Sequence, residues 1–285
     1  MWRRLAAVAM AVLAGVVPAG CDVTNAVDGP VCVIGDSNLG LTHLNLSLNL
    51  RVPPYYPVMK WYPGLGLVRD VGEGTIVDAD DVTTTAVAQT AVECVGLGAS
   101  ALAVSVGVND AQWAQENGAD AYRTSYVEPF LEMVDQASPG IPVVWPTPPE
   151  VAGMPSSSGM TAVSAAIRSV DAARESLHVI EVEQIFDVYT EACVTEPTIL
   201  LCATAGTREE MFKPGDIHYS EAGLTLTSAV LRLGLDCWVA DPSVVLEPDL
   251  QFVCDVLAGG DLPEEPGARA LGRAIDPATA ELGAG

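Results

Sequence analysis

The chain reads as an α/β protein built on a parallel sheet of five strands with helices on both faces. Three observations point there. Short apolar runs recur along it, Val31–Ile34, Leu67–Val71, Ala101–Val106, Ile141–Trp145 and His178–Val182, and near-continuous apolarity is how a strand buried on both faces reads. Segments with apolar residues at helical spacing lie between these runs, and that alternation implies parallel strands joined by crossover helices. Some runs also break into a glycine followed by polar residues, as at Gly35-Asp36-Ser37 and Gly107-Val108-Asn109-Asp110. The crevice beyond the carboxyl ends of such a sheet is where ligands collect.

With 285 residues, 49% of them hydrophobic, the chain can bury a core as one large α/β domain or two small ones, without help from a metal. Its 37 acidic residues outnumber 13 basic ones, for a formal charge of -24. That charge excludes nucleic acid and anionic membrane surfaces as electrostatic partners and disfavours polyanionic substrates.

Residues 1–21 read as a targeting segment, with Arg3 and Arg4, then an apolar stretch from Leu5 to Val17, too short to span a bilayer, then small residues. Val17-Pro18-Ala19 resembles a signal-peptidase site and implies a secreted product. Pro18-Ala19-Gly20-Cys21 resembles a lipobox, in which Cys21 would be lipidated and the chain anchored at the cell surface. Setting Cys21 aside leaves six cysteines, an even number that suits disulfides in an exported chain. Sequence order favours Cys193 with Cys202 and Cys237 with Cys254, leaving Cys32 with Cys94. Their spacing gives no zinc-site pattern, so no metal is expected.

In chain order, the first strand delivers Ser37 at the start of a helix reaching Leu50. Residues 53–63 carry so many prolines and aromatics that they are expected to be irregular and to wall a pocket or pack as a surface loop. Leu67–Val71 is expected as the second strand, running into Gly72-Glu73-Gly74. Asp80 and Asp81 are placed to cap a helix with Ala88, Ala91, Val92 and Val95 on its buried face. The third strand presents Asn109 to the same crevice as Ser37. The fourth strand, a helix built on Val163, Ala166, Ile167 and Val170, and the fifth strand follow. Residues 191–211 read as an inserted loop. Ser220 is placed to cap a last helix with Leu226, Ala229, Val230 and Leu233 buried. The main domain spans residues 30–238. Residues 239–285 form an acidic tail rich in Pro, Ala and Gly, which Cys254 can tie down in its first part.

The blocks Gly35-Asp36-Ser37, Gly107-Val108-Asn109-Asp110 and Asp216-Ile217-His218 together resemble those of the SGNH/GDSL hydrolases over residues 31–238. The resemblance implies a flavodoxin-like three-layer sandwich, with Ser37 as nucleophile and His218 as base. A serine hydroxyl needs such a base to take its proton. It implies an oxyanion hole made by the N–H of Ser37, the N–H of Gly74, with Gly72 as rival, and the side-chain amide of Asn109. Asp36 and Asp110 belong to the blocks with structural roles expected, turn bonding for the first and helix capping for the second. The family places its acid three residues before the histidine, where this chain has Gly215. Asp216, two before, is the candidate if the loop bends to suit, and otherwise another group orients His218 or the site works as a dyad. The implied activity is hydrolysis or transfer of the acyl group of a carboxylic ester on a small molecule, glycan or lipid, with no cofactor. The alternative is a non-catalytic surface lipoprotein that binds a glycan or a partner, favoured only by the shifted aspartate.

Overall fold

The computed structural model describes residues 29–50, 55–195 and 207–239, together with Cys254 and Leu257. Strand β1 (Val31–Gly35) leads directly into helix α1 (Ser37–Leu50), and β2 (Pro57–Trp61) follows. A hairpin of β3 (Arg69–Gly72) and β4 (Thr75–Asp78) precedes helix α2 (Ala86–Gly96) and strand β5 (Ala101–Ser105). Helices α3 (Ala111–Asn117) and α4 (Ala119–Tyr122) continue through a π-helical turn into α5 (Glu128–Ala137). Then come β6 (Val143–Pro146), α6 (Ser157–Asp171), β7 (Leu177–Ile180), α7 (Val182–Thr195) and α8 (Glu221–Trp238).

The main sheet has the order β2-β1-β5-β6-β7, with every pairing parallel. Counted within the sheet this is the 2-1-3-4-5 flavodoxin-like order. Because successive strand residues face opposite ways, β1 divides its side chains between two cores. Val31 and Val33 pack with α1, α7 and α8 on one face, and Cys32 and Ile34 with α2, α5 and α6 on the other. The result is the three-layer sandwich expected from the sequence. Among the described residues no helix is long and apolar enough to cross a membrane.

The second strand is a correction. Residues 57–61, expected to be irregular, form β2, whereas residues 67–71 run into the antiparallel hairpin β3–β4, outside the main sheet. β2 is one of the two edge strands, and proline is tolerated at the first residue of an edge strand, where the missing N–H costs no ladder bond. Capping differs locally too: Asp81 accepts from Thr83 N ahead of a single 3₁₀ turn, and Thr85 caps α2 itself. Residues 191–195 continue helix α7 rather than opening a loop.

Cys32 on β1 is bonded to Cys94 on α2, and Cys237 on α8 to Cys254. The pairing of Cys193 with Cys202 lies outside the described residues, as do Cys21 and residues 1–28. Leu257 is fully buried in the core under α8, so residues beyond 238 contribute to the packed domain.

Candidate active site

The sheet reverses its winding between β1 and β5, because the chain leaves β1 towards β2 and returns to β5 on the other side. Ligands in open α/β sheets collect at such a reversal. Asp36 caps α1 there: its side chain accepts from Asn38 N at 2.8 Å and its carbonyl from Gly40 N at 3.1 Å. Ser37 is therefore the first helical residue, in the turn whose N–H groups have no intrahelical partner and favour negative charge.

The second component comes from the loop before α8. Phe212 and Tyr219 pair as an antiparallel bridge, and Lys213 N donates to His218 O at 2.9 Å. Inside that bridge Asp216 N donates to Lys213 O at 3.0 Å across Pro214 and Gly215. Gly215 has φ +70°. Proline at the second and a positive-φ glycine at the third position make a type II turn, and the turn swings Asp216 back over the loop. Its Oδ1 lies 2.7 Å from His218 Nδ1 and also accepts from His218 N at 3.3 Å. His218 Nε2 is 2.9 Å from Ser37 Oγ. The hydrogen bond to His218 is the main influence holding the Asp216 carboxyl below its ordinary range. A two-residue spacing thus reaches the imidazole because Gly215, three residues before the histidine, supplies the bend.

Asn38 joins the two components, a role that no motif in the sequence marks. The buried side chain accepts from Tyr219 N at 3.1 Å, and its Nδ2 donates to Ile217 O at 3.4 Å. It therefore grips the backbone on each side of His218 from the residue next to Ser37.

Under the site lie two buried carboxylates. Asp36 Oδ2 accepts from Asn109 Nδ2 at 3.3 Å, and the same amide donates to Leu65 O at 3.1 Å. Burial pushes Asp36 up to about 7, partly offset by the N–H of Asn38 and raised further by Asp110. Asp110 makes no helix-capping bond. It accepts instead from Leu67 N at 2.9 Å, Val68 N at 3.0 Å, Arg69 N at 3.4 Å and Tyr122 OH at 2.8 Å. Burial raises Asp110 and these four donors oppose it. Gly66 makes the approach feasible, since a Cβ there would stand 2.2 Å from Asp110 Oδ1.

Gly74 and Gly72 need correction. Gly74 occupies the exposed two-residue tip, Glu73-Gly74, of the β3–β4 hairpin, with positive φ at both residues, as a tight hairpin turn requires. Gly72 closes the same hairpin. The loop that flanks Ser37 is instead the one leaving β2, residues 62–66, because that strand and not β3 lies beside β1.

Ser37, Gly40, Leu41, Trp61, Pro63, Lys213 and His218 line an open groove of about 350 Å³. Leu41 and Trp61 are 43% and 44% exposed, so its wall is apolar. The other histidines stand apart from the Ser37 hydroxyl. His43 Nδ1 is 2.7 Å from Gly40 O and the ring stacks beyond Trp61. His178 stacks on Trp238, and burial lowers its pKa.

No family model matches the chain, and no curated protein sequence does. Solved structures do. A GDSL-like lipase from Bacteroides thetaiotaomicron is 11% identical with a TM-score of 0.47, over 73% of this chain and 88% of that one. The C-terminal catalytic domain of Streptococcus pneumoniae peptidoglycan O-acetyltransferase A is 13% identical, TM-score 0.39, over 91% and 95%. A carbohydrate esterase family 3 protein from Talaromyces cellulolyticus is 10% identical, TM-score 0.41, over 89% and 97%. Likenesses this distant carry no weight for function, which rests on the geometry of Ser37, His218 and Asp216.

Proposed function

We propose that the chain is an exported serine esterase of the SGNH/GDSL kind, which moves the acyl group of a carboxylic ester to water or to another hydroxyl through an acyl-Ser37 intermediate. The observation that carries this is the unbroken line from Ser37 Oγ to His218 Nε2 at 2.9 Å and from His218 Nδ1 to Asp216 Oδ1 at 2.7 Å. His218 takes the Ser37 proton as Oγ attacks the ester carbonyl carbon, and Asp216 holds the tautomer and stabilises the imidazolium. Negative charge then develops on the carbonyl oxygen at the start of α1. The Ser37 N–H meets it there, and Asn109 joins by giving up its 3.3 Å bond to Asp36. Collapse breaks the bond to the alcohol, which leaves with the proton from His218. Water or an acceptor hydroxyl, deprotonated by the same imidazole, then releases the acyl group and restores Ser37.

The basic and apolar start of the chain and its disulfides support export, either secreted or anchored through a lipid on Cys21. The non-catalytic alternative drew on the aspartate spacing, and the type II turn removes that reason. The test is intact-mass measurement after incubation with a small fluorophosphonate. One adduct is expected on the parent chain and none on Ser37→Ala; a folded parent that takes no adduct would overturn the reading.

A further inference from the structure

The described residues include six arginines and two lysines. All six arginines are in ion pairs with carboxylates. The two lysines are in none among the described residues, and they differ in place. Lys60 lies on the edge strand β2 and does not line the groove, whereas Lys213 lines it together with Ser37 and His218. Lys213 also lines an adjoining cavity of about 390 Å³, walled by Val151, Met154, Phe212, the turn of Pro214 to Asp216 and the carboxylate residues Glu150 and Glu209. Arg208 borders that cavity too, but Glu183 and Asp187 already neutralise it.

The loop uses the backbone of Lys213, not its charge, since its N–H and C=O hold His218 O and Asp216 N. In a chain with 37 acidic side chains against 13 basic ones, Lys213 is the one lysine or arginine lining the groove, exposed and with no ion pair among the described residues, so it is the side chain there suited to an anion on the substrate. The surrounding field repels polyanions, so the matching group is small and of low charge.

Resting on the esterase reading, we propose that Lys213 determines specificity by holding a negatively charged substituent on the leaving-group side of the ester. The charged end then sits where the groove opens into the adjoining cavity.

The test uses two aryl phosphonates with the same phosphonyl group, one with 4-hydroxybenzoate as leaving group and one with the uncharged 4-hydroxybenzamide. In each, the Ser37 Oγ–P bond forms as the P–O bond to the phenol breaks, the Ser37 proton passes to His218 and the phenolate departs. The readout is the ratio of the two labelling rates by intact mass, which a general loss of reactivity leaves unmoved. We expect the carboxylate-to-carboxamide ratio to fall about three- to fivefold in Lys213→Ala, to fall further in Lys213→Glu and to be kept in Lys213→Arg, as a partly exposed charge pair implies. Raising salt from about 0.05 to about 0.5 M should shrink the parent's ratio more than that of Lys213→Ala. Labelling of Ser37 with the same ratio in the parent and all three variants overturns the inference alone. Labelling by neither reagent overturns the serine esterase reading, and this inference with it.

Discussion

Two sets of acidic side chains meet at the Ser37 end of the sheet under opposite conditions. Asp36 and Asp110 form a buried floor. Their oxygens take N–H groups of the loop after β2, the first turn of α1 and the amide of Asn109. Asp216 stands at the surface, 42% exposed, and serves one histidine through a turn of its own. Burial makes a carboxylate costly unless donors surround it, so the floor acids are committed to structure. An exposed acid can be removed and replaced by water, so Asp216 is free to serve chemistry. The floor should therefore fail by unfolding and the loop by losing rate.

Asp110→Ala should give the largest separation between the two. It leaves three backbone N–H groups and the Tyr122 hydroxyl without their acceptor, and we expect a loss of roughly 3–5 kcal/mol in urea unfolding. Asp216→Ala should leave the unfolding midpoint unchanged while slowing Ser37 labelling about a hundredfold, because the imidazole loses its orienting acid. Equal stability losses in the two variants would erase the distinction. The third effect is spread over several pH units, in the pH dependence of stability. Asp36 is pushed up to about 7 from an ordinary 3.8, so between these values the folded chain holds a proton that the unfolded chain has lost. Stability contributed by this group falls as pH rises from about 4 and levels off above about 7. Asp36→Asn should flatten that slope over pH 4–7, and an unchanged slope would place the titration elsewhere.

Much of this was legible in the sequence because it is local. Strands β1, β5 and β6 are buried almost throughout and β7 mostly so, and all four read as apolar runs, and Ser220 caps α8 three residues before the Gly223 N–H it accepts. What escaped depends on neighbours distant in the chain. β2 lies at the edge, so its prolines and aromatics hid it, and with it the loop of residues 62–66. Gly74 took the place of that loop because the hairpin after Leu67 imitates a strand-to-glycine junction. Asp110 at the start of a helix looks like a cap, while its partners lie 41 to 43 residues earlier. Asn38 directly follows Ser37, but its grip on Ile217 and Tyr219 has no sequence signal at all. Pro214-Gly215 was the available clue to the turn that brings Asp216 to His218.

The 181 positions between Ser37 and His218 also set a clock. On the esterase reading, the nucleophile emerges early in synthesis with no base near it, and closing a loop of that length carries an entropy cost that the docked contacts must offset. Until α8 docks and Asn38 seizes the loop on both sides of His218, Ser37 is an ordinary alcohol. On the esterase reading, a chain interrupted before residue 218 carries Ser37 without its base and is expected to take no fluorophosphonate label.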